Sequence, residues 1–392
     1  MLLNYDNVLH LKTYNDKLPY INNDTSYSLE KNTSNVGYWL IQFSDSTSFK
    51  IHPIDTVVPA NIIDRIKNKE VYLVLDNAYE YFYDIVDSVY EDVILKYNLP
   101  AEQIIIVSGN YDLLNYMIQY THQHNLQHCK IEFFNYWQKH TLDSYLNSSQ
   151  DFLLTLEKQH WEYEKKFLSL NRRWRPHRLM LLTLLWDNVL LHKGHVSFKL
   201  GTDNGTWEEN IEHAKYHYRK YTDLIDLIDK HDYGLKRAVP LNLDPTELDP
   251  FEDHKMLFYP GINKFYEDTY FSVVTESTSD RFNQGRFLTE KIFKPIALRH
   301  PFIVWGADKT LEALRLLGYK TFEGIIDESY DNESNEITRA NMIVNEIERL
   351  SNLTGLELEN FLTKAREICF YNYVIFRNRD MTKFEYVHRM NY

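Results

Sequence analysis

The stretch that decides the fold spans residues 270–322 and contains two short apolar runs with a helix-like segment between them. It reads YFSVVTESTSD over residues 270–280, FLTEKIFKPIA over residues 287–297 and PFIVWG over residues 301–306. Apolar runs of this length, bounded by turn residues, predict a strand, a helix and a second strand. Thr289 is positioned to cap the helix, which brings its first-turn N–H groups, Glu290 and Lys291 to one loop edge. Such an edge suits a phosphate group.

Upstream of this stretch, the chain alternates between strand-like and helix-like segments. Apolar runs lie at residues 37–43, 71–75, 104–107 and 130–134. Segments with helical spacing lie at residues 59–69, 79–97 and 112–124. This alternation predicts a parallel sheet with right-handed crossovers, with polar residues along the carboxyl edge of its strands. We therefore predict one Rossmann-like domain over residues 1–155.

A second series of elements begins after a polar segment that connects the two predicted domains. Strand-like runs lie at residues 166–170 and 195–200, and helical patterns lie at residues 179–186, 207–229, 310–317 and 338–366. Asp308 is positioned to cap the helix at residues 310–317. We predict a second Rossmann-like domain over residues 156–370 and a C-terminal segment, residues 371–392, that packs back across both domains. Two such domains without a GxGxxG motif favour an α/β fold of the GT-B architecture, with parallel sheets facing a central cleft.

Composition excludes several classes of protein. The 392 residues carry a formal net charge of −13, which argues against nucleic acid or an anionic membrane surface as the main partner. No apolar run reaches the length of a membrane span, and the N-terminus lacks the pattern of a signal peptide, so we expect a cytoplasmic protein, in the host cytoplasm if viral. Cys129 and Cys369 lie in opposite halves, which indicates neither a disulfide framework nor a zinc site. The oligomeric state stays open.

Four arginines, Arg172, Arg173, Arg175 and Arg178, follow the strand-like run at residues 166–170 and precede an apolar helix. Guanidinium groups bind phosphate oxygens bidentately, and cations at a helix N-terminus oppose the helix dipole. We therefore expect at least one of the four to bind a diphosphate, without choosing among them.

The runs FSVVTES, FLTEKIFKPIA and PFIVWG together resemble the signature of α1,3-fucosyltransferase-like enzymes and of related phage and viral glycosyltransferases, over about residues 166–330. The resemblance implies a GT-B fold and a GDP-sugar donor. It also implies that Glu290 binds ribose, that Lys291 binds phosphate, and that an arginine of the cluster binds the diphosphate. Ser277 stands where the family has Asn, and the loop from Glu276 to Glu290 is longer, so the sugar and the base stay open.

The predicted function is transfer of a sugar from a nucleotide diphosphate sugar, GDP-sugar favoured, to a hydroxyl acceptor such as a glycan, with inversion and without a metal. The predicted donor-binding residues are Arg172, Arg173, Arg175, Arg178, Glu276, Thr289, Glu290 and Lys291. An inverting transferase needs a general base on the acceptor hydroxyl. The candidates, each just past a strand-like run, are Asp45, Asp76, Glu80 and Asp112. Glu80 is the first choice and Asp76 the second.

No cofactor is expected to be obligatory, and the nucleotide sugar is a co-substrate. No DxD motif follows a strand, and the spacing of His122, His124 and His128 does not put all three on one helix face, so we predict no metal site. Two alternatives stay open. A non-catalytic nucleotide-binding protein would bind the nucleotide without hydrolysing a donor. A two-domain nucleotide-sugar epimerase would convert the nucleotide sugar without an acceptor.

Overall fold

The computed structural model describes residues 27–29, 37–43, 48–80, 83–148, 163–171, 174–198, 206–239, 241, 258, 260–280 and 285–379. The chain divides into two compact units. The first comprises Met1–Lys139, Asp280–Leu288 and Arg379–Tyr392, and the second comprises His140–Ser279 and Thr289–Asn378. The predicted domain limits, 1–155, 156–370 and 371–392, stay predictions, and residues 149–162 and 380–392 lie outside the described part of the chain. Asp280–Leu288, which the sequence places in the second domain, belongs to the first unit.

Within the described residues, the sheet of the first unit has five strands in the order β1-β2-β3-β4-β5. They are β1 (Tyr27–Leu29), β2 (Gly37–Gln42), β3 (Val71–Asn77), β4 (Ile104–Ser108) and β5 (Lys130–Phe133). Strand β1 pairs with β2 in antiparallel orientation, and all other pairs are parallel. Every residue of β4 is buried, as expected of a central parallel strand with apolar layers on both faces.

Helices and turns connect these strands. They are α1 (Ser48–Ile51), α2 (Ile54–Val57), α3 (Ala60–Lys67), α4 (Ile85–Ser88), a π-helix (Val89–Leu95), a 3₁₀ turn (Ala101–Gln103), α5 (Leu113–His124) and α6 (Tyr136–Asn147). The boundary between the units falls within α6, between Lys139 and His140. The predicted helical start at Tyr79 is wrong. The Glu80 N–H donates to the Asn77 carbonyl at 3.2 Å, so the chain first makes a turn and becomes helical only at Ile85.

The sheet of the second unit is fully parallel, with four strands in the order β7-β6-β8-β9. They are β6 (Phe167–Asn171), β7 (Gly194–Phe198), β8 (Phe271–Thr275) and β9 (Phe302–Trp305). Strand β8 is buried along its whole length. The helix predicted between β8 and β9 is present, so the strand, helix, strand prediction for residues 270–306 is confirmed.

The helices of the second unit are α7 (Pro176–Asp187), α8 (Trp207–His217), α9 (Thr222–Ala238), α10 (Pro260–Glu267), α11 (Glu290–Ala297), α12 (Thr310–Leu316), α13 (Glu336–Ser351) and α14 (Gly355–Asn378). The 3₁₀ turns are Leu191–Lys193 and Ser329–Asn332. The single helix predicted at residues 207–229 is wrong, because this stretch contains two helices. The helical region predicted at residues 338–366 is present and also contains two helices. Gly355, with φ +50°, permits the break before α14.

The residue that caps α12 differs from the predicted one. Lys309 occupies the N-cap position in a left-handed conformation, and the Asp331 carboxylate accepts hydrogen bonds from the Leu311 and Glu312 N–H groups at 2.9 Å and 3.3 Å. Asp308 therefore does not supply the cap.

The predicted α/β class is confirmed, with two Rossmann-like units, one with a mainly parallel sheet and one with a fully parallel sheet, the pair that a GT-B architecture contains. Cys129 and Cys369 are both buried and free. Among the described helices, none has the length and apolar character needed to cross a bilayer.

Candidate functional site

A buried carboxylate anchors the start of α11. Glu276, the residue after β8, is 0% exposed. Its Oε1 accepts a hydrogen bond from the Thr289 N–H at 3.1 Å, and its Oε2 accepts one from the Thr289 hydroxyl at 2.5 Å. Burial raises the pKa of Glu276, although the Lys291 ammonium and the bonds from Thr289 oppose the rise. These contacts indicate that Glu276 positions the start of the helix. From the sequence alone, Glu276 is predicted to bind the donor.

Thr289 and Lys291 give this helix start its donors and its charge. Thr289 has the extended backbone of an N-cap, and its Oγ1 accepts a hydrogen bond from the Lys291 N–H at 3.3 Å. The Lys291 ammonium donates to Thr289 Oγ1 at 3.2 Å and to Ser277 Oγ at 3.4 Å. An ammonium here adds to the positive end of the helix dipole instead of cancelling it. The arrangement therefore favours an anion such as phosphate.

Glu290 forms an ion pair with Lys291 beside this helix start. Glu290 Oε1 and Lys291 Nζ are 2.7 Å apart, and the two side chains are 20% and 26% exposed. Burial alone would raise the pKa of Glu290, but the ammonium of Lys291 outweighs it, and the pKa is lowered. Glu290 is thus an ionised, partly accessible carboxylate at neutral pH, able to accept hydrogen bonds from sugar hydroxyls.

The predicted arginines that the structure describes differ in their burial. Arg178 is buried, and its Nη2 donates to the Thr275 and Glu276 carbonyls at 3.1 Å and 3.3 Å. His177 Nε2 lies 3.0 Å from the same Glu276 carbonyl, which only accepts, so this nitrogen carries the proton. Burial and the neighbouring Arg178 hold the pKa of His177 well below its usual value. Arg178 and His177 therefore fix the chain where β8 ends.

Arg175 is the member of the cluster that the structure describes as partly exposed. It has an extended backbone at the N-cap position of α7, just before Pro176. Arg172 and Arg173 lie outside the described residues. Arg175 is therefore the described arginine whose exposure best suits contact with a diphosphate.

Substituting Arg175 and Arg178 separates these two roles. We expect Arg175→Ala to weaken nucleotide diphosphate binding about 10- to 100-fold with little loss of stability, because a charged hydrogen bond contributes about 1.5–3 kcal/mol. Arg178→Ala is expected to lower the free energy of unfolding by about 1–3 kcal/mol, because it removes a buried donor from two buried carbonyls. Calorimetric titration with nucleotide and thermal unfolding check the pair. Normal binding by Arg175→Ala would assign the diphosphate to another residue.

Two candidate general bases, Asp76 and Glu80, lie at the carboxyl edge of the first unit's sheet. Asp76 is 0% exposed, and its Oδ1 accepts a hydrogen bond from the Ala78 N–H at 3.0 Å. Asn77 donates through Nδ2 to the Phe43 carbonyl at 2.9 Å. Glu80 is partly exposed on the turn that follows. Asp45 lies outside the described residues. Of Asp76 and Glu80, only Glu80 has the exposure that contact with an acceptor requires.

Asp112, the fourth candidate, is held by an arginine that the sequence analysis missed. Arg286 Nη2 donates to Asp112 Oδ1 at 2.8 Å, and Arg286 Nε donates to Oδ2 at 3.0 Å. The Arg286 N–H also donates to Oδ2 at 2.9 Å. The side chains are only 3% and 5% exposed. The two residues are 174 positions apart in the chain, and no sequence pattern connects them.

The same segment makes main-chain contacts with the first unit's sheet edge. Phe287 forms an isolated antiparallel bridge with Asn110, and the Tyr111 N–H donates to the Arg286 carbonyl at 3.0 Å. Gly285 has φ +73°, and a Cβ there would lie 2.4 Å from Asn110 Oδ1. A residue with a side chain would be strained at this φ, and its Cβ would displace the Asn110 side chain, so glycine is favoured here.

Comparisons with known proteins give little beyond this geometry. No family model and no curated protein matches the chain. Among solved structures, it is similar to an alpha,alpha-trehalose-phosphate synthase (UDP-forming) from Burkholderia vietnamiensis, with 11% identity over 79% of this chain and a TM-score of 0.39. The chain spans 66% of the length of that protein.

Proposed function

We propose that this chain is a glycosyltransferase that moves a sugar from a nucleotide diphosphate sugar to a hydroxyl acceptor. The observation that carries the proposal is the start of α11, which Glu276 and Thr289 fix after the carboxyl end of β8. Ligands of parallel α/β sheets bind at this edge. The Lys291 ammonium and the helix N-terminus supply a phosphate site, and the ionised Glu290 supplies an acceptor for ribose hydroxyls.

The finer assignments follow from the resemblance and from the contacts above. We favour a GDP-sugar donor, a fucosyl or other hexosyl group, a glycan acceptor and inversion. Lys291 would bind the phosphates, with Arg175, Arg172 or Arg173 on the diphosphate. Because these cations can balance the charge of a departing diphosphate, the proposed transfer needs no obligatory metal or other cofactor.

The proposed step conserves atoms and charge. The acceptor hydroxyl gives its proton to a carboxylate while its oxygen bonds to the anomeric carbon of the donor. The bond from that carbon to the diphosphate oxygen breaks, and the nucleoside diphosphate leaves with the electron pair. Lys291 stabilises the negative charge that develops on it.

Replacing Glu80 tests the general base. Glu80→Gln keeps the size of the side chain but cannot take a proton, so we expect kcat to fall about 10²- to 10⁴-fold with donor binding unchanged. Glu91→Gln changes an exposed carboxylate of the π-helix in the same unit and is the matched control, with kcat expected to stay unchanged. Turnover by Glu80→Gln at the rate of the parent chain would exclude Glu80 as the general base.

A nucleotide screen tests the function as a whole. Thermal unfolding is measured with GDP, UDP, CMP and their sugars, and the donor that stabilises the chain is then assayed for hydrolysis and for transfer. A stabilising nucleotide without donor turnover would indicate a non-catalytic binding protein. Conversion of the nucleotide sugar without an acceptor would indicate an epimerase. If no nucleotide raises the unfolding temperature, the proposal is wrong.

A further inference from the structure

Three potential metal ligands meet at the amino edge of the second unit's sheet. Glu164 lies three residues before β6, His195 is the second residue of β7, and Asp268 lies three residues before β8. These strands are neighbours in the order β7-β6-β8 and run parallel, so their starts lie along one edge. It is the opposite edge from Glu276 and Lys291, which follow the carboxyl end of β8.

The distances suit a single ion. One ligand atom from each residue lies within 4.8 Å of the other two. His195 Nε2 and Asp268 Oδ2 are 4.0 Å apart, with the two side chains 12% and 22% exposed. The ligand atoms of a tetrahedral zinc ion with bonds of about 2.1 Å lie about 3.4 Å apart. Small side-chain rotations therefore bring the three groups to bonding distance.

The Nε2 atom of His195 is a buried polar atom, which would be expected to have a bonding partner. Nε2 is buried and has no hydrogen-bond partner within the described part of the chain. A buried polar atom without a partner is costly, and native proteins rarely leave one. An imidazole nitrogen in this position can bind a metal ion.

The backbone beside each ligand is already fixed. The Lys165 N–H donates to the Asp268 carbonyl at 3.1 Å, and the Lys166 N–H donates to the Lys193 carbonyl at 2.7 Å. His195 is in register with Leu168 in the β6–β7 pair. The Phe265 ring meets the His195 ring edge-on, with centroids 5.1 Å apart. Little conformational entropy is therefore lost when an ion binds.

We propose that Glu164, His195 and Asp268 form a binding site for a divalent transition-metal ion, with zinc as the preferred ion. One imidazole and two carboxylates are ligands that zinc accepts, with water in the fourth position. The ion would connect the chain segment before β6 to the starts of β7 and β8, and it would stabilise the folded unit because only that state assembles the three ligands. The site is separate from the proposed transfer chemistry and does not depend on it.

The test uses the full chain without an affinity tag, stripped of metal with a chelator. Titration calorimetry with Zn²⁺ is expected to show one saturable site, and Co²⁺ is expected to give the visible absorption of a low-symmetry complex. His195→Gln is expected to weaken Zn²⁺ binding at least about 100-fold, because even outer-shell changes cost about 10- to 100-fold. The chain has 16 histidines, so His192→Gln, a change at an exposed neighbour, is the matched control and is expected to leave the affinity unchanged.

A second variant provides a test that does not depend on the folding of His195→Gln. Glu164 is exposed, so Glu164→Gln is expected to fold normally and to bind Zn²⁺ about tenfold or more weakly. Circular dichroism verifies the fold of each variant. The proposal is overturned if the parent chain has no saturable site, or if folded Glu164→Gln and His195→Gln retain its affinity. Nucleotide binding is measured separately, so failure here does not bear on the proposed transferase activity.

Discussion

Replacing Lys291 by methionine is expected to lower kcat/KM for the nucleotide-sugar donor by about 10²- to 10³-fold, the usual effect of removing one preorganised electrostatic group from a reacting site. The Lys291 ammonium is held by Glu290 at 2.7 Å and by Thr289 and Ser277, so it does not have to be ordered when the donor arrives. Methionine keeps most of the side chain's volume and removes its charge. Steady-state kinetics with the donor identified by the nucleotide screen measure the effect.

The substitution also has a consequence that can be measured without a substrate. Because Lys291 lowers the pKa of Glu290 against the effect of burial, its removal is expected to raise the pKa of Glu290 above that in the parent chain. NMR titration of labelled glutamate side chains reports this change. It should appear whether or not the donor has been identified.

The matched control is Lys294→Met, on the same helix one turn further from the N-terminus. Lys294 is also partly exposed, but it follows the first turn, where the dipole acts most strongly. We expect it to change kcat/KM only slightly. Equal losses of kcat/KM in both variants would mean that removing any positive charge from α11 has this effect. The assignment of Lys291 to the diphosphate would then be wrong.

The sequence predicts this helix start because all of its parts are local. The helix start combines the apolar run of β8, the cap Thr289 and the pair Glu290 and Lys291, which are all close in the chain. Hydrophobic periodicity and capping rules therefore predict it from the sequence. The role of Glu276 is less visible, because a polar residue after a strand is equally consistent with contact to a ligand. Its contacts with Thr289, 13 residues away, are apparent only in the folded chain.

Elements that depend on distant contacts could not be predicted in the same way. The cap of α12 comes from Asp331, about 20 residues beyond the helix start, while the nearby Asp308 fits the local rule equally well. Four arginines in one cluster look alike in sequence, and only burial distinguishes Arg178 from Arg175. The contact between Arg286 and Asp112 depends on which distant chain segments the fold brings together. No local hydrophobic pattern predicts it.

Loss of the Arg286 side chain is expected to destabilise the first unit. Arg286→Met removes the guanidinium that lies 2.8 Å from the Asp112 carboxylate, which is 5% exposed, and breaking a buried ion pair in this way costs about 3–5 kcal/mol. It also removes two of the three hydrogen bonds that Arg286 donates to Asp112. Calorimetric unfolding of the full chain, with the transition of each unit resolved, measures the loss.

Two comparisons show whether burial is the cause. Arg65 pairs with Glu70 on the surface of the same unit, where the side chains are 42% and 55% exposed, so Arg65→Met is expected to cost no more than about 1 kcal/mol. The double variant Arg286→Met with Asp112→Leu removes both charges, and such replacements are often neutral or stabilising, so much of the loss should be recovered. If the double variant is no more stable than Arg286→Met alone, the buried charge of Asp112 is not the cause. The hydrogen bond from the Arg286 N–H would then carry the stability of this segment.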